Sequence, residues 1–118
     1  MAAILSSEAS FDTSEENNKD NINYLTCKII GDATESGLLK FFQYIEDIET
    51  TRNNYRLAQT KENIPARMPF NAEDKFALTI VQQQTSDSEY CIYIKGAPEK
   101  IWKFCKYISI EERKIEIN

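Results

Sequence analysis

The 118-residue sequence contains no histidine. Histidine is the side chain whose ordinary pKa lies nearest to neutrality, and it is the commonest metal ligand. Its absence removes histidine-activated nucleophiles and makes acid–base catalysis at neutral pH harder to assemble. The composition therefore favours a binding role over a catalytic one.

Glycine and cysteine are also scarce, with three residues of each. Neither G-x-x-x-x-G-K-[ST] nor G-x-G-x-x-G occurs, which excludes the two glycine-rich phosphate-binding loops. The cysteines, Cys27, Cys91 and Cys105, are widely spaced and form no C-x-x-C pair. This pattern favours reduced, buried thiols in a cytosolic protein over a disulfide framework.

Long apolar runs are missing too. No stretch approaches the roughly 20 apolar residues that span a bilayer, and Met1–Leu5 is too short for the core of a signal peptide. The net charge of −5 argues against binding to nucleic acid or to an anionic membrane. We expect one soluble domain that does not insert into a membrane.

The residues present predict an α+β fold, an antiparallel β-sheet flanked by helices, that forms part of a domain. Residues 1–22 are predicted to be a disordered acidic and polar tail or loop, because Ser6 to about Asn21 are mostly Ser, Glu, Asn and Asp and bury too little apolar surface to offset the entropy of ordering. The main domain is predicted for residues 23–110, beginning with an extended segment at Asn23–Ile30. The sequence past Tyr107 alternates in polarity, as a strand pair or a frayed terminus would, and residues 111–118 are predicted to be a truncated C-terminal end.

Helical periodicity begins at Asp32. Apolar residues then recur at helical spacing and predict a helix of about four turns: Leu38, Phe41, Ile45 and Ile48, widened by Leu39 and Phe42. Asp32 and Glu35 have the spacing of a capping box, in which the glutamate would reach back to a backbone N–H. A weaker helix is predicted near Glu49–Ala58, with Tyr55 as its apolar anchor.

Period-two alternation at Lys75–Val81 predicts a strand. Its larger apolar residues, Phe76, Leu78 and Ile80, share one face. Gln82–Glu89 is predicted to be a hairpin loop that returns the chain antiparallel through Tyr90–Ile94. Pro98 then opens a predicted helix. That helix is expected to offer four residues to the sheet: Ile101, Trp102, Phe104 and Cys105.

Three short stretches could carry chemistry: Gly31-Asp-Ala-Thr-Glu35, Pro69-Phe-Asn-Ala-Glu-Asp-Lys75 and Lys95-Gly-Ala-Pro-Glu99. Each alone has an ordinary structural interpretation, as a helix cap, a loop entering a strand and a strand-to-helix turn. Together they supply an aromatic face, a carboxylate and two lysines, which are the parts of a purine nucleotide site.

With a few flanking residues, the same three motifs resemble the nucleotide-binding (N) domain of P-type cation-transporting ATPases. The resembling stretches are Gly31–Lys40, Met68–Phe76 and Ile94–Lys100, in this order. The Pro-Phe-Asn form is most similar to the alpha subunit of the sodium/potassium- and proton/potassium-transporting pumps. The resemblance covers about residues 23–110.

This resemblance assigns roles to individual residues. It implies that Phe70 stacks on the adenine ring and that Glu35 hydrogen-bonds its amino group. Lys75 and Lys95 would line the pocket with positive charge toward the ribose and phosphates. Gly96 would let the base approach the backbone closely.

Two further positions matter to the resemblance. Asp32 is implied to be a supporting residue of the nucleotide site. Ala77 departs from the family pattern, because the sodium/potassium pumps usually have a glutamine there. We expect a weaker or less selective contact to the base as a result.

At the level of function, the resemblance implies ATP binding, with Mg²⁺ in the parent pump. The domain would position ATP for phosphorylation of an aspartate in a separate domain, as the cytosolic part of a membrane-embedded P-type ATPase. Its partners would be the phosphorylation and actuator domains. The family's Asp-Lys-Thr-Gly-Thr and Thr-Gly-Glu motifs do not occur here, so we expect no catalytic or metal-binding residues and no ATP hydrolysis by this chain alone.

Two alternatives remain open from the sequence. The chain could be a truncated, non-catalytic pseudo-domain that acts as an interaction module. It could also be a gene product whose bounds omit the exons for the rest of a pump.

Overall fold

The computed structural model describes residues 1–12, 23–24, 26–85 and 88–117. The helices are Ala2–Leu5 (α1), Ala33–Gln43 (α2), Ile48–Asn54 (α3) and Pro98–Ile101 (α4), the last continued by a 3-10 turn at Trp102–Phe104. The strands are Ser10–Phe11 (β1), Ile29–Ile30 (β2), Arg67–Met68 (β3), Phe76–Gln82 (β4), Tyr90–Gly96 (β5), Tyr107–Ile110 (β6) and Arg113–Glu116 (β7). Over the described residues the strands pair antiparallel as β1–β2, β3–β4–β5 and β6–β7. The predicted α+β fold is confirmed.

The first twelve residues belong to the fold, so the prediction of a disordered tail is wrong for them. Ile4, Ala9 and Phe11 are buried in the main apolar cluster. α1 also lies against the sheet, where the Thr79 hydroxyl donates a hydrogen bond of 3.2 Å to the Leu5 carbonyl. The burial of these apolar side chains against the helices of the core orders the segment. The rest of the predicted tail, residues 13–22, lies outside the described residues.

The predicted four-turn helix is instead two helices. α2 ends at Gln43 and α3 begins at Ile48, because Asp47 caps the second helix by accepting from the backbone N–H of Thr50 at 2.9 Å. Phe41 and Ile45 are consequently exposed, whereas Leu39 and Ile48 are fully buried. α3 ends at Asn54, short of the predicted Ala58, and its predicted anchor Tyr55 is half-buried just beyond.

The central hairpin forms as predicted, from the end of β4 at Gln82 to the start of β5 at Tyr90. Its fully buried face carries the smaller residues of β4: Ala77, Thr79 and Val81. α1 approaches this face at Thr79, whose hydroxyl bonds to the Leu5 carbonyl. The larger residues are half-buried on the opposite face: Phe76, Leu78 and Ile80.

Pro98 occupies the first turn of α4, as predicted. The helix ends after a single turn and the 3-10 turn redirects the chain, so Trp102 and Phe104 are 54% and 66% exposed. Phe104 contacts Phe76 edge-on, at 6.2 Å between ring centroids. β6 and β7 then form a hairpin, which confirms the strand-pair interpretation and places the predicted boundary at residue 110 inside it.

Two further predictions, on the segment 23–30 and on the cysteines, need correction. Among the described residues of the predicted extended segment 23–30, only Ile29–Ile30 form a strand, because the N–H groups of Thr26 and Cys27 turn back to the Asn23 carbonyl. No disulfide joins the three cysteines, and only Cys27 is buried, which corrects the prediction of buried thiols at all three positions. Cys91 is half-buried, and Cys105 is exposed because it follows the redirecting turn.

Candidate functional site

A cavity of about 330 Å³ lies between the start of α2, the loop before β4 and the end of β5. Its lining comprises Asp32, Thr34, Glu35, Leu38, Phe70, Lys95 and Gly96. Five of the six residues that the sequence predicted for nucleotide binding therefore meet at one place: Asp32, Glu35, Phe70, Lys95 and Gly96. They come from three segments that are far apart in the sequence.

The first turn of α2 holds two carboxylates in different ways. Asp32 is the N-cap, and its Oδ1 accepts a hydrogen bond of 2.7 Å from the backbone N–H of Glu35. This is one half of the predicted capping box. Glu35 does not supply the other half, because its Oε1 accepts instead from Lys95 Nζ, at 2.9 Å. The Glu35–Lys95 ion pair joins α2 to β5 at the cavity wall.

Both side chains of this ion pair are largely buried. The side chain of Glu35 is 15% exposed and that of Lys95 is 22% exposed. A shielded pair is less screened by solvent and salt than one at the surface. The two residues that the sequence assigned to different parts of a nucleotide therefore contact each other directly.

Phe70 stands in a loop with its own internal scaffold. The side-chain amide of Asn71 donates to Asp74 Oδ2 at 2.9 Å, and its carbonyl oxygen accepts from the Asp74 N–H at 2.8 Å. These bonds close a tight turn directly after Phe70. The Phe70 ring is 58% exposed at the cavity, so one aromatic face is accessible for stacking.

Gly96 is required by the packing of the chain against itself. A Cβ at this position would lie 2.3 Å from the Lys75 carbonyl oxygen and 2.5 Å from Phe76 Cα. The glycine therefore permits the close approach of β5 to the beginning of β4. That is a structural reason for Gly96 which is independent of the proposed approach of a base.

Lys75 differs from the other predicted residues, because it is not among those that line the cavity. Its side chain is exposed, and its backbone is in the left-handed region with φ of 61°. It ends the Asn71–Lys75 turn by donating its N–H to the Asn71 carbonyl at 2.9 Å. The predicted contribution of positive charge by Lys75 stays a prediction.

Ala77 is buried on β4 and is the register partner of Lys95 on β5. Partners in an antiparallel pair project to the same face of the sheet. A larger residue at position 77 would therefore lie beside Lys95, which lines the cavity, although Ala77 itself does not line it. The expected weaker base contact stays a prediction.

Sequence reasoning missed two residues of the lining, Thr34 and Leu38. They are four residues apart on α2, so they share one face of the helix. Leu38 had been assigned to the core stripe of the predicted longer helix, and that assignment concealed its place beside Glu35. Leu38 lies four residues after Thr34 of the Asp-Ala-Thr-Glu motif, and this helical spacing was the signal that could have identified Leu38 as a lining residue.

Two kinds of feature are absent from the described residues. No helix in these parts of the chain is both long enough and apolar enough to cross a membrane. No group of three or more His, Cys, Asp or Glu side chains comes together there as metal ligands would.

Comparison with known proteins identifies the family. A family model described as the P-type ATPase cytoplasmic domain N matches residues 1–118. The human sodium/potassium-transporting ATPase subunit alpha-3 is 34% identical over 94 residues, which is 79% of this chain and 9% of that protein. The bovine subunit alpha-2 is 30% identical over 100 residues, or 85% of this chain and 9% of that protein. The chain thus spans about a tenth of the length of these curated relatives, and it belongs to the family of P-type ATPase cytoplasmic N domains.

Proposed function

We propose that this chain binds an adenine nucleotide in the cavity between α2 and β5. The observation that carries the proposal is the convergence of Phe70, Glu35 and Lys95 on one cavity of about 330 Å³. That volume is within the roughly 300–1,000 Å³ range of small-molecule sites. Phe70 offers an aromatic face, and the ion pair offers a carboxylate and an ammonium group for polar contacts.

In the complete protein, the proposed role is to position ATP for transfer of its γ-phosphate to an aspartate in another domain. The sodium/potassium-transporting relatives support this role, because they are named as ATPases. Within such a pump the partners would be the phosphorylation and actuator domains, and Mg²⁺ would accompany the nucleotide. The contribution of this chain to phosphoryl transfer would be positioning rather than bond making.

Titration of the labelled chain with ATP, followed by two-dimensional amide NMR, tests the proposal. We expect saturable shifts at Phe70 and Lys95. Phe70→Ala should weaken binding by roughly 5- to 150-fold, the equivalent of the 1–3 kcal/mol of a base–aromatic stack. Phe41→Ala is the matched control, because Phe41 is similarly exposed, at 61%, and does not line the cavity. Folded protein whose spectrum ignores ATP would refute the proposal.

A second candidate function is an interaction module. It is favoured by the exposed apolar side chains of β5 and the turn after α4, in particular Tyr90, Ile92, Trp102 and Phe104. Apolar patches of this kind mark contact surfaces. An interaction module would be unaffected by Phe70→Ala and would lose its partner on Ile92→Asp, so the two candidates predict opposite results for one pair of variants.

A further inference from the structure

A second cavity, of about 190 Å³, lies where α1, the end of α3 and β3 meet. Its lining comprises Leu5, Ser7, Glu8, Arg52, Tyr55, Leu57 and Arg67. None of these residues lines the nucleotide cavity. We propose that this arginine cavity binds a phosphate group, as a site that is separate from the nucleotide cavity and does not depend on the proposed function.

Arg52 brings a half-buried positive charge to the arginine cavity. Its Nε and Nη2 donate to the carbonyls of Ile4 and Ser7, at 3.2 and 3.1 Å. A guanidinium has five N–H groups, so three remain for another acceptor. Within the described parts of the chain, no carboxylate lies within ion-pair distance of Arg52. Because burial of a charge is costly unless an opposite charge accompanies it, this guanidinium favours an anion in the cavity.

Arg67 adds a second positive charge to the same cavity, from β3. The two guanidinium groups are close enough to repel each other. Burial is the main cause that lowers the pKa of Arg52, and the charge of Arg67 lowers it further, whereas Glu49 and Glu35 raise it. An anion that contacts both guanidinium groups would remove this repulsion.

Glu8 competes for the cavity from within the chain. Its Oε1 contacts Arg67 Nη2, while Arg52 receives no such contact. The side chain of Glu8 is 57% exposed and that of Arg67 is 40% exposed. Exposed ion pairs of this kind contribute little to stability, so Glu8 can turn away into solvent without disturbing the fold.

The ligand that fits best is therefore a dianion. A monocarboxylate would only replace Glu8 at one arginine, whereas a phosphate group has enough oxygens and charge to bond to both guanidinium groups at once. The volume of about 190 Å³ is below the roughly 300–1,000 Å³ of sites for larger ligands, which favours a single phosphate group. Inorganic phosphate and a small phosphate monoester share this chemistry.

Titration of the full chain with inorganic phosphate, at constant ionic strength and mildly alkaline pH, tests the proposal by two-dimensional amide NMR. We expect saturable shifts of the Ser7, Tyr55 and Leu57 amides, with a dissociation constant on the order of 1 mM, and no saturable shift with acetate. Glycerol phosphate is titrated in parallel, and the tighter of the two phosphates identifies the source of the group. Saturation by neither phosphate, an equal response to acetate, or shifts centred on Lys95 and Gly96 would overturn the proposal.

Two matched pairs of exposed residues separate the arginine cavity from general charge effects. Glu8→Gln should raise the affinity for phosphate roughly three- to tenfold, because it frees Arg67 and removes a negative charge from the lining. Glu62→Gln makes the same change in net charge outside the cavity and should change the affinity by less than about twofold.

Arg67→Met should weaken phosphate binding by about tenfold or more, as expected for a lost bond to a charged group. Arg56→Met removes a positive charge from an exposed residue outside the cavity and is its control. Dispersed amide spectra of all four variants would show that each is folded. Equal effects within either pair would mean that phosphate responds only to net charge, and would overturn the proposal.

Discussion

The carbonyl oxygen of Lys75 accepts a hydrogen bond of 2.9 Å from the backbone N–H of Ala97. This bond ties the start of β4 to the residue that follows β5, and it brings Gly96 against the Lys75 carbonyl. One side of the cavity is built on this junction, because Gly96 lines the cavity and Lys95 precedes it. Substitutions at this junction can therefore test the stability of the fold separately from nucleotide binding.

Gly96→Ala should strongly destabilise the chain, by about 2–4 kcal/mol, because the added Cβ would meet backbone atoms at 2.3 and 2.5 Å. Urea denaturation monitored by circular dichroism measures the change. Gly37→Ala is the matched control: a Cβ there meets nothing within 4 Å, and the position lies inside α2. It should stabilise the chain by about 0.5–1 kcal/mol. Equal effects of the two substitutions would contradict the close packing at Gly96.

Lys75 offers a test that separates charge from backbone strain. Lys75→Gly should raise the free energy of unfolding by up to about 1 kcal/mol, since glycine adopts φ of 61° without a steric penalty. Lys75→Ala should not raise the free energy of unfolding. If the predicted role of Lys75 as a pocket cation is right, both variants lose ATP affinity to the same extent. Unchanged affinity in calorimetric titrations of both variants would remove Lys75 from the site.

Asp47 should make stability depend on acid pH. Its carboxylate accepts from the Thr50 hydroxyl at 2.6 Å, the Gln43 amide at 2.8 Å and the Thr50 N–H at 2.9 Å. These bonds, the Thr50 hydroxyl foremost, lower the pKa of Asp47 below its ordinary value of 3.8. A lowered pKa means that the carboxylate stabilises the fold above this ordinary value and loses that effect as the pH falls through the folded pKa.

Asp47→Ala should therefore cost about 1 kcal/mol at neutral pH, as expected for a lost N-cap. The difference from wild type should shrink as the pH falls below 3.8. Denaturation curves of both proteins from pH 7 to pH 2 give this difference directly. A difference that stays constant through the acid range would show that the charge of Asp47 has no part in capping.

Arg52 anchors the N-terminal helix. Its Nε donates to the Ile4 carbonyl at 3.2 Å and its Nη2 donates to the Ser7 carbonyl at 3.1 Å. Burial lowers the pKa of this half-buried guanidinium, which stays charged. Arg52→Met should release these carbonyls and cost about 1–2 kcal/mol. Hydrogen exchange should then accelerate in residues 1–12, whereas the exposed Arg56→Met should have no such effect; unchanged exchange in Arg52→Met would exclude the anchoring role.

The predictions from sequence succeeded where the signal was local. The alternation at residues 75–81 and the polar loop after it predicted the β4–β5 hairpin, and Pro98 marked the start of α4. They failed where a competing helix cap or a distant contact decided the outcome. The apolar spacing from Leu38 to Ile48 was helical throughout, yet the cap at Asp47 divided the segment into two helices. Residues 1–12 were predicted as part of a polar tail, and only burial against the other helices reveals their place in the core.

The amino-acid sequence by itself determined the three motifs, the α+β class and the family, because each rests on residue types at short, regular spacings. The tertiary structure decided which of these residues meet. It brought Asp32, Glu35, Phe70, Lys95 and Gly96 to one cavity, left Lys75 outside its lining and paired Glu35 with Lys95 across 60 residues of sequence. Such contacts depend on how α2 and β5 lie against each other, and no local pattern encodes that relationship, since the packing of the whole domain sets it.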